Sequence, residues 1–393
     1  MKEWNAGLLS DVAEIIMGQS PKGDICNHSG IGIPLLNGPT EFGIKNPIPI
    51  QFTEDPKKVS AKNDILFCVR GSTTGRMNWA DQQYAIGRGI AAIRHKDGDD
   101  YKYFIKGIID FSLQILLASA TGSTFPNVSR SQLEELEILI PPLPEQKAIA
   151  KVLSSLDDKI DLLHRQNKTL EAMAETLFRQ WVVEEARENW EEVTLGECCT
   201  VITKGTTPTN LKKGLVSNGI NFIKVNCIDE NGNFLIDKFQ FIDEETNDLL
   251  SRSKLEEGDI LYSIAGTIGR LIIVDKEILP ANVNQALAII RVNSEKINPV
   301  FIKYCLKDRE INENLHSKVV HAVQPNLSLG EISKTNIPFP PKEVMKQFKE
   351  MVDPIELKLK NNKSQIRNLE KLRDTLLPKL MSGEVRVEVE HKK

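Results

Sequence analysis

Asp64-Ile-Leu-Phe-Cys-Val-Arg-Gly71 returns as Asp259-Ile-Leu-Tyr-Ser-Ile-Ala-Gly266, and each copy runs on to a glycine–arginine pair, Gly75-Arg76 and Gly269-Arg270. The same doubling extends outward from this stretch. Upstream, Gly18-Gln-Ser-Pro21 aligns with Gly205-Thr-Thr-Pro208, and Asn37 with Asn226. Downstream the offset settles at 199. Pro126-Asn-Val-Ser129 falls on Pro325-Asn-Leu-Ser328, Pro141-Pro142 on Pro340-Pro341, and Leu170-Glu171 on Leu369-Glu370. A period this long exceeds the roughly 20–50 residues of solenoid repeats. Each copy is long enough to hold its own core. Two copies of one domain imply two similar ligands, or one ligand with two similar halves.

The 393 residues predict two or three domains. Net charge is -4. Residues 1–140 carry 14 Lys+Arg against 16 Asp+Glu, and residues 186–340 carry 17 against 21, so bulk charge does not advertise nucleic-acid binding. Any such surface must concentrate its cations locally. Six cysteines without CxxC spacing point to reduced thiols in a cytoplasmic protein, and exclude a disulfide frame or a zinc site. No apolar run approaches the roughly 18 residues of a membrane span.

Residues 1–140 and 186–339 read alike: short apolar β-rich runs (Asp64–Val69, Ile90–Ile93, Asp259–Ile264, Ala286–Val292) between Gly, Pro, Asn and Asp clusters. Helical patches interrupt them at Tyr101–Ala118 and Val300–Asn314. Each reads as an α+β domain with a curved, mainly antiparallel sheet. Residues 141–185 and 340–393 follow another rule. Ile149, Leu153, Leu156, Ile160, Leu163, Asn167, Leu170, Ala174, Leu177 and Trp181 are spaced 4-3-4-3, a heptad seam broken by Asn167. The seam recurs as Phe348, Val352, Ile355, Leu359, Asn362, Ile366, Leu369, Arg373, Leu376 and Leu380. A helix over about 145–183 is roughly 57 Å long and cannot bury such a seam alone. The copy is its nearest partner, antiparallel, as a spacer between the globular domains. Pro354 predicts a kink or a restart with Asp353 as N-cap, and Gly383 a C-cap.

In the antiparallel pairing, facing positions sum to a constant. A sum of 529 sets Asn167 opposite Asn362, Leu163 opposite Ile366, Ile160 opposite Leu369, Leu153 opposite Leu376 and Ile149 opposite Leu380. It leaves Leu156 facing Arg373. The two asparagines either fix register or face solvent at a fraying position.

Catalytic motifs are missing. The sequence has no phosphate-binding Gly-x-x-x-x-Gly-Lys-Ser/Thr loop, no dinucleotide fingerprint, no His-Glu-x-x-His and no zinc spacing, and none of its six histidines recurs between copies. What recurs is glycine, arginine and apolar residues, which favours a binder. The loop Arg70-Gly-Ser72-Thr73-Thr74-Gly-Arg76 suits nucleic acid: glycine admits close approach, hydroxyls hold phosphate oxygens, and arginine forks onto guanine. Its bland reading is a tight turn with ion-paired arginines. Lys204-Gly-Thr206-Thr207-Pro208 with Lys212-Lys213 reads as a second phosphate-facing loop, or as solvated lysines. Arg88 between Gly87 and Gly89 carries the same two readings. Lys22, Thr267, Arg270 and Asn284 complete the candidate DNA contacts. Trp4 and Trp190, which begin the copies, read as core or staple residues.

The repeat, the Pro-Pro-Leu-Pro-Glu-Gln146 lead-in, the seam and the closing Ser382-Gly-Glu-Val-Arg-Val387 together resemble the specificity subunits of type I restriction–modification enzymes. The resemblance covers essentially the whole chain. It implies two target recognition domains, each reading one part of a split double-stranded DNA site in the major groove, separated by two long antiparallel coiled-coil helices with pseudo-two-fold symmetry. It also implies two methyltransferase subunits docked through the helices and two motor–nuclease subunits. S-adenosylmethionine, ATP and Mg would reside in those partners, leaving this chain without cofactor or catalysis. The second copy departs from the pattern at Lys342-Glu-Val344, where Leu-Pro-Glu-Gln is lost. The rival reading is a scaffold of two protein-binding domains on a coiled-coil rod.

Overall fold

The computed structural model describes residues 3–120, 126–184, 190–211, 213–319 and 325–388. The chain forms two compact units, one of Met1–Arg165 with Asn362–Lys393, the other of Gln166–Asn361. The border between them falls inside both long helices.

In the first unit a four-stranded antiparallel sheet runs in the order Ala13–Met17, Ile90–His95, Ile65–Cys68, Met77–Trp79. Successive strand residues point to opposite faces. Ile65, Phe67 and Val69 therefore enter one core with Phe104, Ile105, Ile108 and Ile109 of helix Lys102–Ser119. Leu66 and Cys68 enter another, with Leu36, Tyr84 and Ile86. That second core is walled by a five-stranded sheet, in which Ile33–Leu36 lies parallel to Tyr84–Ile86. The ribbon of Asn5–Leu8 and Glu137–Ile140 ties the two ends of the domain together.

The second unit repeats the plan with Cys199–Lys204, Leu287–Val292, Ile260–Ser263 and Leu271–Ile273. Ile260, Tyr262 and Ile264 face one core, and Leu261 the other. The parallel pair recurs as Asn221–Ile223 on Ala281–Val283, and the ribbon as Glu191–Thr194 on Asn336–Phe339. The α+β reading stands, with one parallel strand pair in each copy. The helix expected over Val300–Asn314 is two, Pro299–Lys307 and Arg309–Ser317. Asp308 breaks it, its carboxylate accepting the amides of Glu310 and Ile311 as an N-cap. Trp4 and Trp190 each pack against the main core of their unit.

The long helices span Leu143–Phe178, continuing as a π-type turn through Glu184, and Lys342–Met381. Within the first unit Ile160 and Leu163 pack with Ile366 and Leu369, while Ile149 and Leu153 join Leu376, Leu380 and Met381. These are the facing pairs of the 529 sum. Arg373, expected to lie over Leu156, instead reaches the neighbouring carboxylate, Nη1 to Asp157 Oδ1 at 3.2 Å. In the second unit Ala174, Phe178 and Trp181 pack with Phe348, Val352 and Ile355. Asn167 and Asn362 are both buried, which removes the solvent-facing reading of each. Pro354 neither ends nor restarts the second helix. The helix runs through it, with Phe348 and Val352 buried on one side and Leu359 on the other. Burial of these side chains outweighs the roughly 3 kcal/mol that an interior proline costs. Gly383, at φ 75°, follows the helix end in the left-handed conformation.

Among the described residues no helix is long and apolar enough to cross a membrane, and no cluster of His, Cys, Asp and Glu suits a metal ion.

Candidate nucleic-acid interface

In each unit several loops converge where the paired sheets end. In the first, Gly18 N–H donates to Ile90 O, Gln19 N–H to Ile86 O, Gly87 N–H to Leu36 O and Val69 N–H to Gly89 O, all at 2.8–2.9 Å. Arg88 N–H donates to Ser20 Oγ at 3.2 Å. A Cβ on Gly18 would sit inside van der Waals contact with Gly87 O, and one on Gly89 against Asn37 O. At Gly18 the close backbone approach therefore requires glycine. The Gly71 loop joins through Gly71 N–H to Pro126 O (3.2 Å) and the bridge of Arg70 with Asn127. This contact explains the recurrence of Pro-Asn-Val/Leu-Ser. Ser129 and Ser328 then cap the next short helices.

The second unit has the same frame. Gly205 N–H donates to Leu287 O, Asn284 N–H to Ile223 O, Ile264 N–H to Ala286 O, and Ala265 bridges Asn326. The hydrogen bonds set Gly87 level with Asn284, Arg88 with Gln285, and Leu36 with Ile223. Asn226 lies inside the 3-10 turn Val225–Cys227, which matches Pro39–Glu41, so the alignment of Asn37 with Asn226 is corrected.

The structure divides the candidate contacts. Arg76 donates from Nη1 to Pro39 O (3.3 Å) and from Nη2 to Phe42 O (3.0 Å). Arg270 Nη1 donates to Val225 O at 3.2 Å and to Ile228 O. The duplicated arginines thus brace a duplicated 3-10 turn, which corrects the expectation that they fork onto a base. Thr74 Oγ1 donates to Gly71 O (2.7 Å) and Pro126 O (2.8 Å), a brace inside the loop. Lys213 pairs with Glu245 at 2.7 Å, so its charge is balanced. The Asn284 Oδ1 is buried and faces the protein. Thr207 Oγ1 bonds Gln285 Oε1, and Thr206 Oγ1 accepts from Arg252 at 3.4 Å. Lys212 lies outside the described residues.

Lys22, Arg70, Ser72, Thr73 and Arg88 in the first unit, and Lys204 and Thr267 in the second, are exposed. Arg70 Nε donates to Asn127 Oδ1 at 3.4 Å. Among the described residues no carboxylate lies within 4 Å of the Lys22, Arg70, Arg88 or Lys204 charge. Sequence reasoning missed Arg252, whose Nη2 reaches Lys204 O and Thr206 Oγ1, and Lys224, beside the corner. Neither recurs between copies, so the repeat could not mark them. The arrangement is a rigid backbone corner carrying unpaired cations, hydroxyls and amides. It offers hydrogen bonds and charge to a polyanion.

The model of the type I restriction modification DNA specificity domain matches residues 1–172 and again 187–371. The chain belongs to this family. It is 29% identical over 98% of its length to the type I restriction enzyme MjaIX specificity subunit of Methanocaldococcus jannaschii, covering 94% of that protein. It is 24% identical to the EcoBI specificity subunit of Escherichia coli over 97% of this chain and 86% of that one. Its fold is similar to the type I restriction–modification S subunit from M. genitalium, with a TM-score of 0.61, 20% identity and 96% of each chain covered. As a specificity subunit with two target recognition domains, the chain is the non-catalytic member of its system.

Proposed function

We propose that the chain reads a bipartite double-stranded DNA target, one half-site through residues 1–140 and the other through residues 186–339. The observation that carries this is the duplicated corner. One backbone frame, entered in each copy through a glycine (Gly18 or Gly205), is built twice, with matching internal hydrogen bonds and different exposed side chains at its tip. Phosphate contacts from Lys22, Arg70 and Lys204 position the duplex, and base-edge contacts from the loop tips specify sequence. Because the tips differ, the half-sites differ.

Residues 141–185 and 340–393 dock two methyltransferase subunits, and two motor–nuclease subunits join through them. Leu162 and Met173 on the central helix, and Leu357 and Leu372 on the C-terminal helix, are exposed apolar side chains that support a docking role. S-adenosylmethionine, ATP and Mg act in those partners, in the cytoplasm. The test is co-expression with the adenine methyltransferase subunit and mapping of methylated adenines. A motif of two unlike halves around a fixed gap is expected. A contiguous motif, or methylation independent of this chain, overturns the reading.

A further inference from the structure

We infer that the corner residues Arg88 and Gln285 each set one base of the target: guanine in the half-site of the first domain, adenine in that of the second. The inference rests on the DNA-reading function proposed above and assigns a residue to a base within it.

Three observations lead here. The first is equivalence. Gly87–Ile90 and Asn284–Leu287 make the same turn, closed by Ile90 N–H to Gly87 O at 3.0 Å and Leu287 N–H to Asn284 O at 3.2 Å. Both turns are held from the side by the glycine of the first loop, Gly18 or Gly205, and from below by the parallel strand ending at Leu36 or Ile223. Arg88 and Gln285 occupy the same place on it.

The second is rigidity with exposure. The backbone on both sides of Arg88 is hydrogen-bonded, its own N–H to Ser20 Oγ. Its flanking glycines leave no room for a Cβ. Yet the side chain is exposed, and among the described residues no carboxylate pairs with it. A recognition side chain needs a fixed root and a free tip. The recurring arginines fail this criterion, because Arg76 and Arg270 bond to backbone carbonyls. Gln285 is likewise exposed, and the Thr207 hydroxyl against its Oε1 orients the amide.

The third is chemistry. A guanidinium presents two parallel donors, which match guanine O6 and N7. A carboxamide presents one donor and one acceptor, which match adenine N7 and N6. Lys22 and Arg70, on loops bonded to the same frame, supply charge of the kind that holds phosphates. That leaves the planar fork at the tip for a base edge.

The test uses the full chain co-expressed with its methyltransferase subunit, with motifs read from methylated DNA. Arg88→Gln introduces the residue that the second copy already carries at this corner, so the frame accepts it. The expected result is that one guanine of one half-site becomes adenine or loses its preference about 10–100-fold, the range a bidentate base contact provides, while the other half-site is unchanged. Gln285→Arg should do the converse in the other half. Arg88→Lys, which keeps the charge and loses the fork, should relax the same guanine. If Arg88→Gln leaves the motif unchanged, the assignment is overturned. It is also overturned if Arg88→Gln weakens methylation of all sites equally and Arg88→Lys restores it, because that is the signature of a phosphate contact. If the wild-type complex yields no two-part motif, the failure lies with the proposed function itself, and the assignment falls with it.

Discussion

His95 shows how a single side chain separates the two copies. It is buried between the sheet and the start of the central helix. Its Nδ1 accepts the Asp97 amide at 2.9 Å, so Nε2 carries the proton and donates to Gln146 Oε1 at 2.9 Å. Gln146 in turn donates to Pro141 O at 2.8 Å. Burial pushes the imidazole below its usual range, against smaller opposing effects of Gln146 and Asp97. A histidine held neutral by the fold contributes stability above its unfolded value of about 6.5. That contribution is lost as pH falls below 6.5 towards the folded value. In the other copy these positions hold Val292 and Met345, which do not titrate. The double change His95→Val with Gln146→Met is therefore expected to flatten the pH dependence of stability below about pH 6.5. Urea unfolding at several pH values reads this, and an unchanged slope contradicts it.

A second residue-scale feature is common to both copies. Asp64 meets Arg94 at 2.7 Å, and Asp259 meets Arg291 at 2.7 and 2.8 Å. The aspartates are only 2% and 1% exposed, and each also accepts an amide, from Ala61 or Glu256. Asp259→Ala is expected to cost about 3 kcal/mol of unfolding free energy, because it removes the buried, bidentate half of the Arg291 ion pair, leaving the exposed Glu256 carboxylate at 2.6 Å, and strands the Glu256 amide. A loss below about 1 kcal/mol in denaturant titration would contradict the pairing.

At the scale of elements, the helix seam was the most legible part of the sequence. A 4-3 spacing depends on which positions are apolar, and that is written directly in the chain. The sum of 529 correctly paired Ile160 and Leu163 with Ile366 and Leu369. Leu163 is buried against its partners, so Leu163→Ala is expected to destabilise the first unit by about 2–4 kcal/mol. The exposed neighbour Leu162→Ala should change stability by less than about 0.5 kcal/mol while weakening methyltransferase docking. The restart offered for Pro354 does not occur, because local propensity takes no account of tertiary packing. Around Pro354 the burial of Phe348 and Val352 decides. The loops were the least legible. A glycine precedes both Arg76 and Arg88, but the sequence could not say that the Arg76 guanidinium is tied to backbone carbonyls. That depends on the carbonyls of Pro39 and Phe42, contributed by a segment over thirty residues away.

At the scale of the whole molecule, duplication pointed to two similar ligands, and it was the resemblance carried by the repeat, the lead-in, the seam and the closing motif that pointed to DNA. If each copy reads independently, replacing residues 1–140 by the matching domain of a relative should change one half of the methylated motif and leave the other. A change in both halves would show that the copies do not read separately. The same logic explains what stayed hidden. Arg252 and Lys224 belong to one copy only, and a residue without a counterpart leaves no trace in an internal comparison.

The first unit is discontinuous, and its last pieces come from the far end of the chain. Leu376, Leu380 and Met381 enter the core built by residues 9–153. Arg386 then clasps Glu145 at 2.6 and 2.7 Å, with its guanidinium 5.2 Å from the Trp4 ring. All of Gln166–Asn361 lies between. During synthesis at roughly 5–20 residues per second, the ribosome spends about 10–40 s on that intervening stretch. The domain made first is thus completed last. For that interval the apolar residues that will meet Leu376, Leu380 and Met381 stand uncovered on a nascent chain, so the first recognition domain waits longer than the second for its closing helix.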